Sequence, residues 1–180
     1  MLFTESPIRG IFLIEPERRI DERGFFARTW CQREFNAQGL NPCVAQCNTS
    51  LSHERGTLRG LHYQVAPHAE EKLVRCVRGA IFDVAVDLRA DSPTVHQWFG
   101  AELSADNRQM LYVPQGCAHG YLTLTADTEV LYQVSEFYDP QAERGVRWND
   151  PQFGIVWPEP ARVISPKDSS FRLLKDQRAA

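Results

Sequence analysis

The chain has 180 residues, and its 20 Lys and Arg residues against 23 Asp and Glu residues give a net charge of −3. Its 43% hydrophobic and 24% charged residues are typical of a globular domain and exclude a disordered chain. The lack of a basic excess argues against a nucleic-acid-binding protein. At this length we expect one domain spanning residues 1–180.

Cysteine usage and hydropathy indicate where the protein works. The five cysteines include no Cys-x-x-Cys pair, which favours free thiols in a reducing compartment. Glu5 and Pro7 stand where a signal peptide needs an apolar run. No apolar stretch approaches the ~18 residues of a membrane span. We therefore expect a cytoplasmic protein without a membrane segment.

Short extended segments recur along the chain, punctuated by Gly, Pro and Asp. Gly79 is expected to turn a hairpin between residues 73–78 and 80–88. Helical patterns are confined to residues 31–37 and 171–177. The predicted strands are 11–14, 73–78, 80–88, 97–103, 110–113, 121–125 and 129–138. Many short strands at this spacing indicate an all-β antiparallel sandwich or barrel with short peripheral helices.

The segment 80–88 alternates with a period of two, as a strand does. One face is apolar, and the other carries Asp83 and Asp87. The carboxylate face fits either an outer surface in water or the wet interior of a barrel.

The densest polar cluster lies at residues 56–64, Gly-Thr-Leu-Arg-Gly-Leu-His-Tyr-Gln. Strand alternation predicts that His62 and Gln64 share a face with Gly60, while Arg59 lies on the opposite face. A glycine beside polar side chains suits the wall of a ligand cavity. The alternative is a structural histidine with a satisfied hydrogen bond.

Three further residues are candidates for chemistry. His119 follows a Pro-x-Gly turn, Lys72 precedes a strand, and Tyr132 lies within one. Taken singly, each has a simpler interpretation: a turn histidine facing water, a solvated surface charge and a core tyrosine.

Metal and cofactor sites lack support in the sequence. His62, Gln64 and His119 together offer two imidazoles and one amide, a poor ligand set for zinc or a transition metal. No Gly-x-Ser-x-Gly, P-loop or dinucleotide-binding fingerprint is present. We expect no cofactor and no metal. Histidine, lysine and tyrosine instead suit metal-free proton abstraction next to a carbonyl, with the tyrosine returning a proton.

The sequence resembles the dTDP-4-dehydrorhamnose 3,5-epimerase family of cofactor-free cupin enzymes over nearly its whole length. The segments that carry the resemblance are Asp-Glu-Arg-Gly-Phe-Phe at 21–26, Leu-Arg-Gly-Leu-His-Tyr-Gln at 58–64, Lys-Leu-Val-Arg-Cys-Val at 72–77, Phe-Asp-Val-Ala-Val-Asp-Leu-Arg at 82–89, Val-Pro-Gln-Gly-Cys-Ala-His-Gly at 113–120 and Trp-Asn-Asp-Pro at 148–151. The resemblance implies a jelly-roll barrel, a homodimer and a nucleotide-diphosphate 4-keto-6-deoxy sugar as substrate.

The resemblance also implies roles for individual residues. The base is His62, paired with Asp168; the acid is Tyr132, and Lys72 and His119 line the sugar site. Arg23 and Phe26 reach the partner's site. The remaining substrate-binding positions are Gln46, Asn48, Arg59, Tyr138, Glu143 and Lys167.

Four positions depart from the family pattern. Arg28 replaces a usual Glu, Cys47 and Thr49 replace the Asp and the His of a usual Gln-Asp-Asn-His, and Gln133 replaces a common Lys. They leave the exact nucleotide and sugar open, as well as whether C3 alone or both C3 and C5 are epimerised. The sequence is also compatible with a metal-dependent cupin enzyme and with a non-catalytic cupin that binds sugar nucleotides.

Overall fold

In a computed structural model, residues 1–177 form two mainly antiparallel sheets packed face to face, a separate two-stranded sheet and three short helices. The strands are β1 (Leu2–Glu5), β2 (Phe12–Glu15), β3 (Arg19–Asp21), β4 (Gly24–Phe26), β5 (Gln46–Ser52), β6 (Thr57–Gln64), β7 (Lys72–Arg78), β8 (Ala80–Asp87), β9 (Trp98–Ser104), β10 (Met110–Val113), β11 (Cys117–Thr123), β12 (Thr128–Val134), β13 (Glu143–Gly145) and β14 (Val163–Ile164). The helices are α1 (Gln32–Ala37), α2 (Pro166–Ser170) and α3 (Leu174–Gln177).

The first sheet has the strand order β1-β2-β10-β7-β12-β5 and the second β13-β6-β11-β8-β9, with β14 alongside β6 in parallel. The pairs within each sheet order are antiparallel, and most of them join strands distant in sequence. This arrangement confirms the expected all-β jelly roll.

The apolar core lies between the two sheets. Its side chains come from alternate positions of both sheets, as the pleat of a strand requires. Members include Val74 and Val130 from the first sheet and Ile81, Ala85 and Tyr121 from the second.

The predicted hairpin at Gly79 is wrong. β7 pairs with β10 and β12, whereas β8 pairs with β11 and β9. Gly79, with φ at +78°, carries the chain from one sheet to the other. Sequence spacing alone does not distinguish this corner from a hairpin, because both need a residue that accepts positive φ.

Neither face of β8 meets water. Val84 and Val86 pack under the C-terminal segment with Phe153. On the opposite face Asp83 and Asp87 are fully buried. Asp83 therefore lies in the barrel interior, one of the two environments expected for this face. Asp87 instead accepts hydrogen bonds from Arg89, Ser92 and Thr94 in the loop that follows.

A bulge in β6 decides which side chains enter the barrel. His119 lies opposite His62, and Tyr121 lies opposite Arg59. Arg59 and His62 are three positions apart on β6, whereas their partners on β11 are two apart, so β6 contains one extra residue here. Directly paired residues point to the same side of a sheet. Arg59 and His62 therefore share the interior face, and the predicted opposite orientation of Arg59 is wrong, because the extra residue breaks the alternation.

We predict that Gly60→Ala lowers the free energy of unfolding by about 2–4 kcal/mol. The φ of Gly60 is +130°, and an added Cβ would lie 2.5 Å from the Cα of Gly120. Urea unfolding followed by tryptophan fluorescence measures the change.

Gly24→Ala is the matched control for this prediction. Its φ is +127°, but nothing lies within 4 Å of an added Cβ, so only the backbone strain of about 1–2 kcal/mol remains. Equal losses in the two variants would show that the approach of β6 to β11 is not tight.

Candidate active site

Two adjoining cavities open beside His62. The first, about 430 Å³, extends into the barrel, and the second, about 320 Å³, opens beside β5 and β12. His62, Lys72 and Tyr132 line both cavities. The space that these three side chains share is therefore the place where one ligand can occupy both cavities at once.

His62 is held by a carboxylate from the far end of the chain. Its Nε2 lies 2.6 Å from Oδ1 of Asp168, which is 3% exposed. Asp168 Oδ2 also accepts from the Gly60 amide at 3.2 Å. Because a carboxylate accepts hydrogen bonds, the ring proton lies on Nε2 and leaves Nδ1 to act as a base.

Helix α2 fixes the position of this carboxylate. Ser165 caps the helix by accepting from the Asp168 amide at 3.0 Å, and Pro166 occupies the first turn. Burial alone would raise the pKa of Asp168, but the hydrogen bond and charge of His62 bring it below the ordinary value. Asp168 is therefore ionised at neutral pH.

A second histidine–carboxylate pair lies deeper in the barrel. His119 Nε2 lies 2.8 Å from Oδ1 of Asp83. Asp83 Oδ2 is buried without a hydrogen-bond partner among the described residues. Beside this pair, the hydroxyls of Ser50 and Tyr121 share a hydrogen bond of 2.7 Å, and both line the first cavity.

Lys72 begins β7 at the boundary of the two cavities. Its Nζ lies 3.0 Å from Oε1 of Glu70 and donates to the His62 carbonyl at 3.4 Å. Tyr132 reaches the same space from the first sheet. Burial raises its pKa, as does the negative charge of Glu70, so its hydroxyl stays protonated at neutral pH.

The side chains expected to bind substrate are divided between the cavities. Arg59, His119 and Lys167 line the first, and the second is lined by Gln46, Asn48, Tyr138 and Glu143. Glu143 joins the two groups, since it accepts from Lys167 at 2.6 Å and from the Tyr138 hydroxyl at 2.9 Å.

Arg59 differs from the other basic side chains of the first cavity. His62, Lys72, His119 and Lys167 each have a carboxylate partner. Within residues 1–177 Arg59 forms no ion pair, and its guanidinium donates to the Ser52 hydroxyl and the Leu51 carbonyl. Its positive charge is available to an anionic ligand.

Arg23 and Phe26 lie outside both cavities. They belong to a projecting hairpin, β3–β4, which we call the arm. Phe26 is 68% exposed and Ile20 79%, while Arg23 pairs with Asp21. A chain that kept its arm in water would leave a considerable apolar surface uncovered.

Residues 1–177 contain no cluster of three or more His, Cys, Asp or Glu side chains able to hold a metal ion. Gln64 is also engaged by the main chain: its amide donates to the His68 and Phe137 carbonyls and accepts from the Asp139 amide. His62, Gln64 and His119, the three candidate metal ligands, are thus each bonded within the protein.

Three side chains near the site escape prediction from the sequence: Ser50, Glu70 and Tyr121. The period-two pattern of β8 signals Asp83 but leaves its environment open. Nothing in the sequence marks Ser50, Glu70 or Tyr121, because their place depends on pairings between distant strands.

We predict that Asp168→Asn lowers the free energy of unfolding at pH 7 by about 1–3 kcal/mol, since it removes a charged hydrogen-bond acceptor. The folded-state pKa of Asp168 is lowered. Its stabilisation is therefore complete above the ordinary carboxyl pKa of about 3.9 and is lost as the pH falls through the folded value.

The measurement is the difference in unfolding free energy between wild type and variant across the acid range. That difference should shrink towards low pH. A constant difference would mean that Asp168 contributes no ionisation-linked stability.

The chain matches the family model described as dTDP-4-dehydrorhamnose 3,5-epimerase over residues 5–176. It is 46% identical to the Sinorhizobium fredii enzyme of that name, covering 94% of this chain and 88% of the relative.

Other relatives bear on ligand and specificity. A crystal structure of the Bacillus anthracis dTDP-4-dehydrorhamnose 3,5-epimerase with TDP and PPi bound matches with a TM-score of 0.92, at 43% identity over 96% of this chain and 99% of that one. A dTDP-4-dehydrorhamnose 3-epimerase of Streptomyces niveus is 40% identical over 96% of this chain and 84% of the relative. The chain belongs to the dTDP-4-dehydrorhamnose 3,5-epimerase family.

Proposed function

We propose that this protein epimerises C3 and C5 of a dTDP-4-keto-6-deoxyhexose, converting dTDP-4-dehydro-6-deoxyglucose to dTDP-4-dehydro-L-rhamnose by metal-free proton transfer. The observation that carries the proposal is the placement of His62, paired with Asp168 of helix α2, on one sheet and of Tyr132 on the other, around one shared space. Family membership supplies the substrate class.

His62 is the base. The C4 carbonyl acidifies the hydrogens on C3 and C5, and Nδ1 of His62 accepts one of them. Asp168 then stabilises the imidazolium through its 2.6 Å contact. A base positioned in this way contributes about 10²–10⁴-fold to the rate.

Lys72 and His119 stabilise the enolate. Removing the proton places negative charge on the C4 oxygen, which then needs donors fixed in position. Lys72 Nζ and His119 both line the first cavity beside His62. Each of the two lies within 3.0 Å of a carboxylate oxygen of the protein.

Tyr132 is the acid. It belongs to β12 of the first sheet, whereas His62 belongs to β6 of the second. A sugar ring between them is deprotonated on one side and reprotonated on the other, which inverts the carbon. The raised pKa of Tyr132 keeps the proton on its hydroxyl until the enolate forms.

Arg59 and Lys167 hold the diphosphate in this proposal. Arg59 has no carboxylate partner among the described residues, and a planar guanidinium suits phosphate oxygens. Gln46, Asn48, Tyr138 and Glu143 then face the rest of the ligand in the second cavity. The bound TDP of the Bacillus anthracis relative supports a thymidine nucleotide.

The working unit is proposed to be a homodimer in which the arm crosses to the partner. The arm presents Ile20, Phe25 and Phe26 to solvent, and burying them would stabilise an interface. Arg23 and Phe26 would then complete the partner's site. The single chain of residues 1–180 would be one domain and half of the unit.

We also propose that the protein works in the cytoplasm. All five cysteines are free thiols, as a reducing compartment favours. No helix in the described part of the chain is long and apolar enough to cross a bilayer.

Epimerisation at C3 alone is the second candidate activity, favoured by the similarity to the Streptomyces niveus 3-epimerase. Both carbons flank the same carbonyl, so one base serves either. The number of inverted centres depends on where the sugar sits relative to Tyr132.

We predict that the protein, incubated in D2O with dTDP-4-keto-6-deoxyglucose, introduces deuterium at C3 and C5, observed by proton NMR. His62→Ala should abolish the exchange, because the group that accepts the proton is lost. Tyr132→Phe should retain exchange while inversion falls about 10²-fold or more.

Each outcome separates the candidates. Deuterium at C3 alone would establish the 3-epimerase, and ligand binding without exchange would indicate a non-catalytic binding protein. Exchange that requires stoichiometric metal by elemental analysis would favour the metal-dependent enzyme.

We predict that two inactive variants restore each other when mixed. His62→Ala keeps its arm but loses its base, whereas a Phe26→Ala variant that also carries Arg23→Ala keeps its base but loses its arm contacts. After subunit exchange, a mixed dimer contains one complete site. The activity should return to about a quarter of the wild-type value for random reassortment.

The His62→Ala protein mixed with Asp168→Asn is the control. Both changes damage the site of their own chain, so no mixed dimer contains a complete site and the activity should not rise above that of the separate variants. Native mass spectrometry verifies that the subunits exchange. An arm mixture that exchanges subunits yet stays inactive would show that the arm does not complete the partner's site.

A further inference from the structure

Glu70 lies at the edge of the proposed reaction space, where it is the carboxylate partner of Lys72. Its Oε1 lies 3.0 Å from Lys72 Nζ, and both side chains are 11% exposed. Glu70 lines the second cavity together with His62, Lys72 and Tyr132. An ion pair this sheltered is screened less by water and salt than a surface pair.

The pair limits the directions in which Lys72 can donate. An ammonium has three N–H donors. Glu70 takes one and the His62 carbonyl, at 3.4 Å, takes another. The third remains for a ligand in the space lined by His62, Lys72 and Tyr132, where the proposed enolate oxygen forms.

Glu70 also acts on Tyr132. Burial raises the pKa of Tyr132 and the charge of Glu70 raises it further, while Arg59 acts in the opposite direction. The charge of Tyr132 in turn raises the pKa of Tyr121 on β11. His62 and Lys72 line the first cavity together with Tyr132. Of these neighbours, Glu70 supplies the negative charge that opposes ionisation of the hydroxyl.

We propose that Glu70 is a positioning residue of the reaction, which directs the Lys72 ammonium towards the enolate oxygen and keeps the Tyr132 hydroxyl a proton donor. The inference rests on the proposed function. A single carboxylate then acts on both the ammonium that stabilises the enolate and the hydroxyl that returns the proton.

Glu70→Gln tests the proposal, because it keeps the size of the side chain and removes its charge. Steady-state kinetics with dTDP-4-keto-6-deoxyglucose should show kcat reduced about tenfold, with KM equal to or below the wild-type value, since a negative charge near an anionic substrate is removed. The basic limb of the kcat–pH profile should move to lower pH.

A titration without substrate measures the effect on Tyr132 directly. Carbon-13 NMR of protein labelled at tyrosine Cζ, with the signal assigned by Tyr132→Phe, should show ionisation in Glu70→Gln at a pH lower by about 0.5–1 unit. Glu102→Gln, an exposed position on β9, is the charge-matched control and should leave the kinetics and the titration unchanged.

The outcomes are distinct. An unshifted Tyr132 titration, or a kcat within twofold of wild type, would overturn the role of Glu70, as would a rise in KM in step with the fall in kcat. Failure of the wild-type protein to exchange protons would instead overturn the proposed function, whatever the Tyr132 signal does.

Discussion

The active-site geometry depends on how closely β6 approaches β11. At their crossing, an added Cβ on Gly60 would lie 2.5 Å from Gly120 Cα, and one on Gly120 would lie 2.6 Å from the Arg59 carbonyl. Two facing glycines permit this contact, and the bulge beside it turns Arg59 and His62 to the same side. The Gly60 amide also binds Asp168. One backbone contact therefore places the proposed base, its carboxylate and the arginine proposed to bind phosphate together.

The electrostatics of the cavity follow from local pairing. His62, Lys72, His119 and Lys167 each meet a carboxylate of their own, and buried or half-buried charges need such partners. Arg59 is satisfied by neutral acceptors instead. A protein with a net charge of −3 can thus attract a diphosphate, because the Arg59 charge in the first cavity is not compensated by a carboxylate of the described chain.

The strand segments and the fold class could be predicted from the sequence, because alternation and turn residues are local signals. The predicted strand 110–113 has the observed bounds, and helix α1 begins one residue after the predicted start. The helix expected at 171–177 begins only at Leu174, and no pattern predicted α2.

The pairing of strands could not be predicted from local sequence patterns, as the wrongly predicted hairpin at Gly79 shows. The face of Arg59 was assigned wrongly because a bulge leaves no signal in hydrophobic alternation. The sequence pattern itself marked His62, Lys72, His119 and Tyr132 as candidates. Family resemblance supplied their roles and the remaining site residues, whereas Glu70 and Tyr121 became visible only in three dimensions.

The pairing of His62 with Asp168 joins residues 106 positions apart. Such contacts form late, because closing a long loop costs entropy before any bond repays it. A chain that ended at residue 162 would lack both this carboxylate and the cavity wall formed by residues 163–168. The C-terminal segment is therefore part of the proposed catalytic unit, although the strands that carry His62, Lys72 and Tyr132 all precede it.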